Sequence, residues 1–152
     1  MGQNLDRCES LTDAQLDQEL ESKCPFPWND SQDTLRKLLQ ASVGFGNPWL
    51  DTINGAQPTY DRETLGGLKT GLHLNQEEFK RMIAKIEEEG RWDLTFVDSL
   101  FEPPEVFSYV GVVGHVVTFN AYRRVLLISE IKKYSIDDVG FGDPLEFGPH
   151  RN

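Results

Sequence analysis

Apolar positions recur at helical spacing in three stretches of this chain. In LTDAQLDQELESK, residues 11–23, Leu11, Leu16 and Leu20 form a thin stripe, with Thr12 placed to cap and Gln15 to close the capping box. This predicts a short helix with one wet face. CPFPWND, residues 24–30, stops it, because Pro25 and Pro27 cannot continue a helical ladder, and Phe26 and Trp28 are positioned to pin the turn to a core. A second helix is expected from Asp30 or Ser31 to about Ala41, with Leu35, Leu38 and Leu39 on one side. The clearest signal is LNQEEFKRMIAKIEEEG, residues 74–90. Asn75 reads as its cap, Phe79, Met82, Ile83 and Ile86 share one face, and Gly90 ends it.

Between Trp49 and Leu74 the pattern is poor and turn signals such as NGAQP and LGGLKTG are frequent, so an irregular loop with a short helix near residues 61–66 is expected. After residue 90 the period changes. RWDLTFVDSL alternates Trp92, Leu94 and Phe96 with more polar positions, the period of a strand, and Pro103 and Pro104 break the chain after it. VFSYVGVVGHVVTF, residues 106–119, is the most apolar run. Its six valines predict a buried strand bent at Gly111 and Gly114, because β-branched side chains fit a pleated surface. Residues 122–131 would then return beside it as the second strand of a hairpin, with one long helix over about 121–134 as the alternative. The fold class expected is α+β: a small antiparallel sheet of two to four strands packed against about three helices, in one domain over residues 1–152 with flexible ends at 1–8 and 148–152.

A chain of 152 residues can bury a core without staples or metal. Its net charge of −10 is uneven, since residues 1–34 carry eight acidic side chains against only Arg7 and Lys23. Such a field repels nucleic-acid phosphate and attracts a basic protein, so no direct nucleic-acid contact is expected. The run at residues 106–119 is too short for a bilayer, and no membrane association is expected. The opening MGQNLDRCES has no apolar signal core, and Asp6 stands where an acylation signal needs Ser or Thr; with only Cys8 and Cys24 in the chain, this sets the expectation of a reducing, cytoplasmic setting.

Candidate chemistry is sparse. His73, His115 and His150 lie far apart without a metal-ligand spacing, so neither metal nor other cofactor is expected. His115, set among valines, is the weak catalytic candidate: a buried neutral imidazole needs a partner, for which Tyr109, Glu130 and Asp98 are available, and can act as a base near pH 7. Cys8 and Cys24 sit in acidic surroundings that disfavour a reactive thiolate. Glu102 and Glu105 flank two prolines without forming a defined acid–base pair. The glycine-rich stretches lack a complete phosphate-loop pattern.

VGFGNP at residues 43–48 returns as VGFGDP at 139–144, and reads as two Phe-anchored turns, since the intervening elements do not recur. The function expected is that of a small acidic protein that binds, and by binding inhibits, a basic protein, with nucleic-acid mimicry as a variant and immunity-like or anti-defence-like action in view. Asp13, Asp17, Glu19 and Glu21 would steer the encounter, and Trp28 and Trp49 would supply contact area. The alternatives are a small hydrolase-like enzyme using His115 with nearby carboxylates, and a component of a homo-oligomer.

Overall fold

The computed structural model describes residues 1–21, 31–98, 102–134 and 136. Trp28, Cys24, Phe26 and the VGFGDP copy lie outside these residues, as do Phe141, Leu145, Phe147, His150 and the end at 148–152. The fold is α+β: a two-stranded antiparallel sheet packed against several helices.

Residues 1–8, expected as a flexible end, contain helix α1, Gly2–Arg7, and the start of a 3-10 turn, Cys8–Ser10, with Leu5 and Cys8 fully buried. The next helix, α2, spans only Asp13–Leu16. Its capping box forms as expected: the Gln15 amide donates to the Thr12 hydroxyl, and Gln15 Oε1 accepts from the Thr12 N–H at 2.9 Å. It does not run to residue 23, because by Glu19 the chain has turned to make an antiparallel bridge with Thr34. Thr34 then caps α3, Leu35–Gly44, whose Leu35, Leu38, Leu39 and Val43 are buried.

The stretch from 49 to 74 is mostly helical, contrary to expectation. Helix α4, Asn47–Asn54, takes Pro48 in its first turn, where no N–H is required, and ends at Gly55 with a left-handed φ of 74°. Helix α5, Leu65–Glu88, begins ten residues before the predicted cap. Thr64 is the actual cap: its hydroxyl accepts from the Gly67 amide at 3.1 Å and donates to Asp61 at 2.5 Å. The glycines that resembled a loop are where the chain comes close to itself. A Cβ on Gly67 would strike Asp61, and one on Gly71 would strike the Tyr60 ring. Asn75 is therefore in mid-helix, where its side-chain amide donates to the Val43 carbonyl at 2.8 Å and ties α5 to the end of α3.

Strands β1, Thr95–Asp98, and β2, Glu105–Ser108, pair from Thr95↔Ser108 to Asp98↔Glu105. Period-2 alternation puts Phe96 and Phe107 against the core and leaves Val97 and Val106 exposed.

The main correction concerns residues 106–131. The long strand and its hairpin return are replaced by one 24-residue helix, α6, Tyr109–Lys132. Ser108 caps it by accepting from the Gly111 amide at 3.1 Å. Its buried residues, among them Tyr109, Val112, Val116, Leu127, Ile128 and Ile131, keep helical spacing, so tertiary packing overrides the β-propensity of the valines. α6 also links the two halves of the core. Leu127, Ile128 and Ile131 join the leucine-rich cluster of Leu5, Leu16, Leu38 and Leu68, while Tyr109, Val112 and Val116 join the aromatic clusters with Trp49 and Phe79.

Candidate functional site

A cleft of about 1120 Å³ opens between the end of α3, the start of α4, β2 and the first turns of α6. Its floor is aromatic. His115 lies 5.2 Å from the Phe45 ring and 4.4 Å from Phe119, and meets Trp49 edge-on at 6.0 Å; Trp49 in turn makes a T-shaped contact with Phe107 at 5.0 Å. Arg123 is nearly fully buried, stacks its guanidinium 4.0 Å above Phe45, and donates from Nε to Gln32 Oε1 at 2.9 Å. The spacing of His115, Phe119 and Arg123 by four residues puts all three on one face of α6. That spacing is present in the sequence, and reading the segment as a strand conceals it.

Burial, and after it the positive charge of Arg123, push the His115 imidazole below its ordinary value, so the ring is neutral at pH 7. Among the described residues no carboxylate hydrogen-bonds it. Tyr109 instead accepts from Arg91 at 3.3 Å, and Glu130 bonds Lys133 four turns further along α6. Asp98 and its cross-strand partner Glu105 do line the same cleft, from β1 and β2, with Asp98 buried and Glu105 exposed. Glu102 is exposed in the connection before β2. The arrangement offers aromatic and ionic contact surface to a bound group; a general base would further need a neighbour that fixes its tautomer.

The acidic candidates are organised by basic residues from other parts of the fold. Arg36 of α3 donates to Asp13 at 2.7 Å and to both oxygens of Asp17, at 2.6 and 3.1 Å, and these bonds hold the Asp17 carboxyl below its usual range. Lys69 of α5 lies 2.5 Å from both Asp6 and Glu9. Just beyond α6, Lys133 joins Glu21 at 3.1 Å and Glu130 at 2.7 Å. Glu19 is exposed beside the bridge to Thr34. Trp49, by contrast, is buried in the aromatic cluster and reaches the surface only as part of the cleft wall. Since Lys37 lines the cleft and the adjacent Arg36 holds Asp13 and Asp17, the first turn of α3 places the acidic edge beside the cleft.

Burial pushes the Cys8 thiol up to about 12, which leaves it protonated and unreactive. Among the described residues no group of three His, Cys, Asp or Glu side chains is placed to hold a metal ion, and no helix is long and apolar enough to cross a membrane. Comparison with protein-family models, with curated proteins and with solved structures finds no match to the chain.

Proposed function

We propose that the protein binds a basic protein surface through its acidic amino-terminal edge, with the adjoining aromatic cleft as the place where a partner side chain docks. The observation that carries this reading is the ratio within the charge clusters. Asp6 and Glu9 share Lys69, Asp13 and Asp17 share Arg36, and Glu21 and Glu130 share Lys133, two carboxylates to each cation. Glu130 is buried, whereas the other five carboxylates are exposed, and exposed ion pairs contribute little to stability. Their effect is to hold carboxylates in fixed positions while leaving an excess of carboxylates around Lys69 and Arg36, which is what steering toward a cationic surface requires. The cleft adds aromatic faces on which a Lys or Arg side chain can stack, and its charged lining is mixed, with Asp98, Glu105 and Glu63 beside Lys37, Arg62 and Arg123.

The test is affinity capture from the source cell at about 0.15 M and about 1 M salt, across which screening lengths fall from ~8 to ~3 Å. Wild-type protein is compared with the triple variant Asp13→Asn, Asp17→Asn, Glu21→Gln. Basic proteins are expected to be retained at low salt, lost at high salt, and retained much less by the variant. Competition by duplex DNA would place the partner among nucleic-acid-binding proteins and favour mimicry. Capture that ignores both salt and the substitutions would refute the reading.

A further inference from the structure

A second cavity, of about 580 Å³, lies on the other side of α6, between α5 and α6 and above the junction of α3 with α4. Its walls are mostly apolar, from Leu50, Leu72, Phe79, Val116 and Val117. Ser42, Asn75, Gln76, Lys80, Asn120 and Arg124 interrupt them, and three of these six have a buried atom without a hydrogen-bond partner: Asn75 Oδ1, Asn120 Oδ1 and Arg124 Nε.

Asn75 is the most informative. It is only 8% exposed, and its Nδ2 donates to the Val43 carbonyl at 2.8 Å and to the Tyr60 hydroxyl at 3.3 Å. A carbonyl cannot donate, so the amide has one orientation, and the orphaned atom is an acceptor. A buried acceptor without a donor costs free energy that an apolar side chain of the same shape would not. Arg124 supplies the opposite need. No carboxylate pairs with it among the described residues, none lines the cavity, and the nearby Lys80 is engaged by Glu77 at 2.8 Å.

We infer that this cavity is a binding site for a small organic acid with an apolar body and a hydroxyl or amino group beside its carboxylate, the chemistry of α-hydroxy and α-amino acids. The carboxylate meets Arg124, the neighbouring O–H donates to Asn75 Oδ1, where an ammonium has further hydrogens for Asn120, and the apolar body lies against Leu50, Leu72 and Phe79. The volume is within the ordinary range of small-molecule sites. The site is separate from the acidic edge, and neither reading depends on the other.

Isothermal titration with two probes tests the assignment. The first is 3-phenyllactate. The second is 3-phenylpropionate, which differs only in lacking the hydroxyl. Saturable 1:1 binding of phenyllactate is expected, at least about tenfold tighter than phenylpropionate, because the second acid leaves Asn75 Oδ1 unpaired. Arg124→Met, at a partly buried position that keeps an unbranched apolar stem, should keep the fold by circular dichroism and weaken both acids by at least about tenfold. Asn75→Leu should abolish the preference for the hydroxy acid. Absence of saturable binding by either acid, equal binding of the two, or an unchanged affinity in Arg124→Met each overturns the proposal. So does an Asn75→Leu protein that gains thermal stability while neither acid binds the wild type, the behaviour of a cavity holding only water.

Discussion

Helices α5 and α6 have the same length, 24 residues, and share the task of packing on α3, yet they meet water in opposite ways. The outer side of α5 is ionic, with Lys80 paired to Glu77 and Arg81 to Glu78. The outer side of α6 is apolar: Val110, Val117 and Val125 are each more than half exposed, and Tyr122 lies beside them. A helix that is apolar all round ordinarily belongs in a buried setting. The difference shows where to look for function. α5 completes its role inside the fold, whereas α6 lines both cavities, supplies Arg123 to one and Arg124 to the other, and still has an apolar face left over.

The largest effects should separate the two faces of α6 itself. Leu127 is fully buried in the leucine-rich cluster, so Leu127→Ala is expected to cost about 2–5 kcal/mol. Val125→Ala, two residues away but half exposed, should stay within about 0.5 kcal/mol. Urea unfolding measures both. Similar losses from the two would mean that the outer face of α6 is covered in solution, and would turn attention to a homo-oligomeric interface.

The same contrast explains how far the sequence can be read. The second half of α5 is legible because Phe79, Met82, Ile83 and Ile86 alternate with charges at helical spacing. Its first half is not, since Gly66, Gly67 and Gly71 lower helix propensity, and only the close approach of Asp61 and Tyr60 explains two of them. α6 is hidden for a different reason. With valines on both the buried and the exposed side there is no amphipathic period, and composition alone points to a strand. The acidic cluster is visible as charge, but its three cations come from Arg36, Lys69 and Lys133, each distant along the chain from the carboxylates of residues 6–21, so the pairing depends on the fold. The Asn75 cavity is hidden because an Asn followed three residues later by Glu78 matches a helix start, and only the position of Val43 and Tyr60 in space makes it a buried mid-helix amide.

Glycine substitutions extend the comparison to smaller effects. On α5, Gly71→Ala gains helix propensity but drives a methyl group into the middle of the Tyr60 ring, whose hydroxyl also accepts from Asn75. Overpacking outweighs the propensity gain, and a net loss of about 1–2 kcal/mol is expected from the unfolding midpoint. Tyr60→Leu in the same background should recover part of that loss, since it removes the ring that the methyl meets. Failure of that rescue would place the strain elsewhere on α5.

Gly114 is the counterpart on α6, and here the sign should reverse. A Cβ built at Gly114 meets no atom within 4 Å, its backbone is helical, and it lies on the exposed side between Val110 and Val117. With no clash to offset it, Gly114→Ala should stabilise the protein by up to about 1 kcal/mol through the backbone entropy that glycine loses on folding. The expected readout is a higher urea midpoint at an unchanged denaturant slope, since the surface exposed on unfolding is nearly the same. The midpoint should also be independent of protein concentration. A loss of stability that depends on concentration would mean that another surface approaches Gly114 closely, as small residues between valines allow two helices to do, and would make α6 an interface between copies. A loss without concentration dependence would place a segment of the same chain over that face, and the contrast between the outer sides of α5 and α6 would then disappear.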